Sequence, residues 1–327
     1  MPILADEAHT TADLPGDDFD LEALYQVLRP VLQQALPTDP DVSLNYLCGR
    51  KPVADDTTKL LARNKTGQPV AVILVASKVE PELVQKGMDN ARTIKQLLGP
   101  QLGQVILEPK ATGWLHGRSY TVLPYCKPLE SGPIIRRWHN FTLRPLAIEW
   151  LTKATQATAR EPTSEELQRN FIEPLQKLAV MDGMAAEIRE AAKTTLKRIE
   201  SSAWKPRHVL MHSDLWRGNI LFSDPENRGV ERFARLVIID WPGAKTDGYA
   251  FYDLVRLSLS MNLPKFFLSV HIKNHCEILQ CELVDARSHL LAALAYLGQN
   301  LNHFPMENYC KLAQTCFQFL NPYLPKK

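Results

Sequence analysis

The chain has 327 residues, 45% hydrophobic and 23% charged, a balance ordinary for a folded globular protein and unlike a fibrous or wholly disordered one. Its 38 Lys and Arg against 36 Asp and Glu leave a net charge of +2, which argues against nucleic acid or a charged membrane surface as partner. No apolar run reaches bilayer-crossing length, and the acidic opening MPILADEAHTTADLPGDDFD lacks the basic start and apolar core of a secretory signal, so a cytoplasmic protein is expected.

Residues 1–20 are read as a flexible acidic tail. Apolar residues at Leu21, Leu24, Leu28, Val31 and Leu32 then follow a helical period over 21–35, ended by Pro37 and Pro40. Short extended runs follow at 42–47, 61–62 and 70–76, separated by turn residues. A helix is predicted over 81–98 and stopped by Gly99-Pro100. Strands return at 104–107 and 119–123, with His116-Gly117 as the hairpin turn. Pro124, Pro128, Gly132 and Pro133 mark a linker, giving an N-terminal unit over 21–128 and a C-terminal unit over 129–327.

The second unit reads as mainly helical. Helices are predicted over 146–158, over 175–199 with Gly183 as a weak point, and over 249–259, 266–279, 285–295 and 307–319. Thr163 and Glu166 have the spacing of a capping box, which marks a helix start. Two short apolar runs, 209–211 and 237–239, interrupt the helical pattern as strands ending in polar residues. Six cysteines, Cys48, Cys126, Cys276, Cys281, Cys310 and Cys316, form no CxxC pair or compact framework and are expected as free thiols.

The chemistry is concentrated in HVLMHSDLWRGNILF and, beyond it, VIIDWPGA. Asp214 and Asn219 stand at opposite ends of one short loop, and Asp240 lies at the end of a second strand. Phosphoryl transfer needs such a set: a carboxylate that orients the attacking hydroxyl, and oxygen ligands that hold Mg2+ against the phosphates.

HSDLWRGNIL resembles the catalytic loop of the aminoglycoside phosphotransferase and choline kinase superfamily, relatives of the protein kinases, and IIDW resembles its magnesium-binding segment. The resemblance implies an α+β, bilobal, protein-kinase-like fold, with a small strand-rich N-terminal lobe and a large mainly helical C-terminal lobe. It implies Asp214 as the catalytic carboxylate, His212 as the histidine organising the catalytic loop, Asn219 and Asp240 as metal ligands, and Asp253 in AFYDLVRL as structural support. The sequence departs from the pattern at Pro242, where a second carboxylate is usual, and at Ser213, where glycine is common.

The resemblance also implies ATP and Mg2+ as cofactors. PVAVILVASKVE resembles the strand that carries a phosphate-contacting lysine, but its interior lysine is absent; Lys78 at its end is the best substitute, with Lys59 before it the alternative. Glu82, Asp89 or Asn90 occupies the place of the lysine's acidic partner. Gly49, followed by Arg50 and Lys51, is the candidate for phosphate approach, and Leu123, Pro124, Tyr125 and Cys126 for adenine contact. The expected partner is a small-molecule hydroxyl acceptor such as an amino alcohol, a sugar or an aminoglycoside-like compound; no oligomeric state is implied. Glu277, Glu282 and Asp285 are candidates for a cationic acceptor, and Arg136 and Arg137 for an anionic one.

Overall fold

The computed structural model describes residues 20–48, 57–129, 132–223 and 232–325. They fall into two compact units, one comprising the chain to Lys86 with Glu108–Tyr125, the other Gly87–Leu107 with Cys126–Lys327. The first is strand-rich and the second mainly helical, the bilobal α+β organisation expected from the sequence.

In the first unit, helix α1 (Leu21–Ala35) starts at Asp20, whose carboxylate accepts the Glu22 N–H at 3.0 Å. Strands β1 (Ser43–Tyr46), β2 (Thr58–Arg63), β3 (Pro69–Val75), β4 (Ala111–Leu115) and β5 (Arg118–Pro124) form an antiparallel sheet of order β1-β2-β3-β5-β4. Cross-strand register sorts their side chains onto two faces. Leu60, Ile73 and Val122 lie opposite one another and share a core with Leu24, Leu28 and Leu32 of α1. The other face carries Leu61, Val72 and Leu123 in one row and Lys59, Leu74 and Thr121 in the next.

His116 and Gly117 close the β4–β5 hairpin with φ of 47° and 74°, the positive angles that a tight two-residue turn demands. The first strand of that hairpin is Ala111–Leu115, and not residues 104–107 as the apolar run suggested. That run is apolar for a different reason. Val105 and Ile106 are buried in the core of the second unit, where Ile106 makes an isolated bridge to Ile238.

Helix α2 (Leu83–Gly103) breaks at Gly99, where φ of 68° and ψ of −178° leave the helical path just before Pro100. Its Ala91, Ile94 and Leu98 pack in the second unit. A two-residue strand β6 (Lys127–Pro128) precedes helix α3 (Pro133–Thr158), which starts with proline in its first turn rather than at residue 146. Helix α4 (Ser164–Leu167) opens on the predicted capping box. Thr163 Oγ1 accepts the Glu166 N–H at 3.2 Å, and Glu166 Oε2 accepts the Thr163 N–H at 2.8 Å.

A π-helical turn, Gln168–Ile172, leads into α5 (Glu173–Ala179). Gly183, with φ of 78°, separates α5 from α6 (Ala186–Glu200), so the predicted helix over 175–199 is two. Strands β7 (His208–Met211), β8 (Ile220–Phe222), β9 (Leu236–Ile238) and β10 (Lys245–Tyr249) make two small ladders, β10-β7 and β6-β8-β9. Residue 249 therefore ends a strand, and the following helix α7 (Tyr252–Ser260) begins later than expected.

Helices α8 (Lys265–Leu279), α9 (Asp285–Gln299) and α10 (Met306–Leu320) complete the unit. Helix α9 is buried nearly all round, from Ala286 through Leu294 to Gly298, as befits the central helix of a layered core. No helix of the described residues is long and apolar enough to cross a membrane. None of the six cysteines is in a disulfide.

Candidate active site

The loop from His212 to Asn219 leaves β7 and enters β8, and the antiparallel pairing of Ile220 with Ile238 brings the end of β9 beside it. Ile239 ties the two segments together. Its N–H donates to Asn219 O at 3.0 Å, and its carbonyl accepts from His212 Nε2 at 3.0 Å. The residue immediately before Asp240 is thus held from both ends of the loop.

His212 is 2% exposed, and burial pushes its imidazole down to about 4. It is neutral at ordinary pH, and the carbonyl of Ile239 can only accept, so Nε2 carries the proton. Nδ1 is then the acceptor facing the Asp214 N–H at 3.4 Å. The Trp241 ring packs against the imidazole with centroids 4.5 Å apart, and its Nε1–H donates to Ile238 O at 2.9 Å. His212 therefore bonds to backbone in two segments, its own loop and the residue after β9, and carries no exposed proton.

Asp214 is half-exposed. Its Oδ2 accepts from Asn219 Nδ2 at 3.0 Å, and that same Nδ2 donates to the Asp214 carbonyl at 2.9 Å. Oδ1 accepts from Arg256 Nη2 at 3.2 Å. Each carboxylate oxygen holds one protein donor and keeps lone pairs for a third party. Asn219 spends its amide nitrogen inside the loop, leaving Oδ1 as the acceptor end.

Asp253, on the first turn of α7, is buried, and its Oδ2 accepts the His212 N–H at 2.6 Å; the Ser213 N–H also bonds to this carboxylate. Burial drives its pKa up to about 7 against the pull of those two donors. Truncation to Asp253→Ala would leave both N–H groups without this acceptor. The expected cost is about 2–4 kcal/mol of stability, read from the urea midpoint, with Asp253→Asn milder because it keeps an acceptor oxygen. An unchanged midpoint for the alanine variant would remove Asp253 from this supporting role.

Backbone angles bear the mark of the site. Ser213 and Asp240 both have φ of 73°, a region that non-glycine residues seldom occupy. Ser213 offsets the strain with a bond from Oγ to Gly243 O at 2.7 Å. The turn after Asp240 is clamped by Asn90 of α2, whose Nδ2 donates to the carbonyls of Trp241, Pro242 and Ala244 at 3.2, 3.0 and 3.4 Å. Asn90 serves the 241–244 backbone, and Asp89 pairs with Arg92 at 3.0 Å.

Asn219 and Asp240 offer only oxygen donors, and the Ile239 N–H, next to Asp240, donates to the Asn219 carbonyl. Among the described residues no group of three or more His, Cys, Asp or Glu is placed to hold a metal. Oxygen donors suit Mg2+, which takes the rest of its octahedron from water and phosphate, better than Zn2+, which prefers nitrogen and sulfur ligands.

The other sequence candidates are scattered. Lys78 is exposed beyond the end of β3, whereas Lys59 is half-buried on β2 in register with Leu74. Tyr125 follows β5, with its N–H donating to Val70 O at 3.2 Å, and Cys126 begins the next segment. Gly49, Arg50 and Lys51 lie outside the described residues. Asp285 is buried and accepts from Arg198 Nε and Nη2 at 3.0 and 2.8 Å, with Glu282 beside the same guanidinium at 3.4 Å; this pair braces α6 against α9. Glu277 is exposed on α8, and Arg136 and Arg137 lie in α3. Arg256 is not among the sequence candidates, although its place three residues after Asp253 puts both on one helix face.

No protein-family model matches the sequence, and no curated protein matches it. Solved structures match its fold. A thermostable mutant of aminoglycoside phosphotransferase APH(4)-Ia, in apo form, aligns with a TM-score of 0.51 at 13% identity, covering 89% of this chain and 98% of that one. A choline/ethanolamine kinase family protein from Mesorhizobium loti aligns with a TM-score of 0.50 at 15% identity, over 93% of this chain and 95% of its own. The chain has the fold of these phosphotransferases. At such identities the likeness is one of fold, and chemistry has to be argued from the site itself.

Proposed function

We propose that this protein is an ATP-dependent phosphotransferase that acts on the hydroxyl of a small molecule, an amino alcohol, a sugar or an aminoglycoside-like acceptor. The observation that carries the reading is the Asp214 carboxylate, half-exposed, with one oxygen held by Asn219 and the other by Arg256. In that role Asp214 orients the acceptor hydroxyl and accepts its proton as the new O–P bond forms and the bond to the leaving ADP breaks. Asn219 Oδ1 and the Asp240 carboxylate would hold the magnesium, and the backbone bond from Ile239, next to Asp240, to the Asn219 carbonyl would keep the two residues in step. Bound Mg2+ would offset charge on the phosphate oxygens.

The face of the first unit's sheet opposite α1 supports nucleotide binding. Leu61, Val72 and Leu123 make an apolar row suited to a flat base, and Lys59 stands in the next row as a cation for phosphate. Lys59 fits this task better than Lys78, because it is flanked across the strands by Leu74 and its neighbour Thr121. Tyr125 and Cys126 are assigned to the adenine edge by their place after β5, and Gly49 to the phosphates by the basic residues that follow it in sequence.

Pro242 favours a second reading, a nucleotide-binding protein without transfer, because proline offers no carboxylate where a second metal ligand is usual. One experiment separates the two. Wild-type protein is incubated with Mg-ATP and a panel of amino alcohols, sugars and aminoglycosides, and products are detected by mass. A product heavier by one phosphoryl group, lost on removal of Mg2+ with a chelator, is expected. Saturable ATP binding with no product from any acceptor would establish the second reading instead.

A further inference from the structure

The geometry points to Arg256 as a positioning residue for the Asp214 carboxylate, an inference that rests on the phosphotransferase reading given above. Arg256 sits on α7 one turn after Asp253, so a single helix face meets the loop twice. Asp253 receives the His212 backbone N–H, and Arg256 Nη2 donates to Asp214 Oδ1 at 3.2 Å. The same helix also touches the far side of the loop, where Ser260 Oγ accepts the Arg217 N–H at 3.0 Å. The loop backbone is thus pinned at residues 212 and 217, and the one side chain between those pins that needs a fixed plane is held by Arg256.

Burial tells against a merely structural arginine. The Arg256 side chain is only 23% exposed, and a buried guanidinium is costly unless its donors are satisfied. Yet its Nε is buried with no hydrogen-bond partner, and Asp253 Oδ1, also buried without a partner, is not bridged to it. An arginine kept to brace helices would use its whole fork, as Arg198 does on Asp285 through both Nε and Nη2. Arg256 instead commits one terminal nitrogen to the half-exposed Asp214.

With Asn219 on Oδ2 and Arg256 on Oδ1, rotation of the carboxylate about its terminal torsion is stopped from both sides. The lone pairs that remain then point in fixed directions toward an acceptor hydroxyl. Removing Arg256 frees that rotation and leaves ATP binding, which uses other groups, intact.

The test compares wild type, Arg256→Lys and Arg256→Gln in steady-state transfer to the acceptor found for wild type, with melting temperature and ATP affinity measured on each. Arg256→Gln is expected to lower kcat by about 10- to 100-fold, the worth of one charge-assisted hydrogen bond, with KM for ATP within about twofold. Arg256→Lys, which keeps the charge but not the planar fork, is expected to recover part of kcat. Wild-type kcat in the glutamine variant, or a loss confined to KM for ATP, would overturn the assignment. So would a lysine variant as impaired as the glutamine one with an equally lowered melting temperature, the mark of a structural role. Should the glutamine variant fail to fold, the lysine variant decides: reduced kcat at unchanged KM supports the inference, and wild-type kcat refutes it. Absence of turnover in wild type would refute the phosphotransferase reading itself and this inference with it, whereas normal turnover in the variants refutes only the role of Arg256.

Discussion

Asp214→Asn is expected to reduce phosphoryl transfer by about 10²- to 10⁴-fold while leaving the affinity for Mg-ATP within about threefold. Asparagine keeps the size of the side chain and an oxygen for the Asn219 amide at the place of Oδ2. What it loses is the negative charge that faces Arg256 and the capacity to accept a proton from the acceptor hydroxyl. Asp240→Asn is expected to fail differently. It weakens an oxygen ligand rather than the carboxylate near the hydroxyl, so the Mg2+ concentration for half-maximal rate should rise by at least about tenfold, with partial recovery at high Mg2+. The decisive measurement is rate against Mg2+ for both variants beside wild type. Two variants with wild-type rates and wild-type Mg2+ dependence would show that the loop and the strand end do no chemistry.

Lowering the pH from 7 to 5 is expected to remove on the order of 4 kcal/mol of stability from the second unit. Burial pulls His212 and His275 down to about 4 and His289 to about 3, and it pulls His208 in the same direction. A histidine whose folded-state pKa lies below its unfolded value contributes stability that is fully present above about 6.5. That stability is lost as the pH falls toward the folded pKa, because the unfolded chain takes up protons that the folded one refuses.

By pH 5 each of the three numbered histidines has lost about 2 kcal/mol. Asp253 acts in the opposite sense, since its folded pKa is raised to about 7, and it returns about 2 kcal/mol over the same interval. Urea midpoints at the two pH values, followed through the buried Trp150, Trp204 and Trp241, measure the sum. His289→Leu is the informative control. Both ring nitrogens of His289 are buried without partners, and the ring lies edge-on to Trp204 at 5.0 Å, so leucine removes two unsatisfied polar atoms. It should soften the acid loss by about half. Coincident midpoints at pH 7 and pH 5 would contradict the picture of neutral, buried imidazoles.

The candidate site was legible in part, and particular residues show why. HSDLWRGNIL and IIDW are contiguous, so the loop, its flanking strands and the positions of His212, Asp214, Asn219 and Asp240 along them could be read from local pattern. Ser213 explains itself once its φ of 73° is known, since it stands where glycine is common. Pro242 was legible as a departure, but not the clamp that Asn90 places on the turn containing it, because that contact joins residues about 150 positions apart.

Helix α1 and the capping box at Thr163 are set by the sequence alone, since side-chain period and a three-residue spacing are local properties. The two- and three-residue strands β6 and β8 are too short to carry a period of their own and exist only through their partners. Tertiary structure alone decided the rest. Pairing with Ile238 and packing in the second unit made 104–107 a buried segment instead of a hairpin strand. Sheet register set Lys59 opposite Leu74. The fold of α7 onto the loop brought Arg256 to Asp214, for a hydrogen bond across 42 residues has no signature in either neighbourhood until the chain has folded.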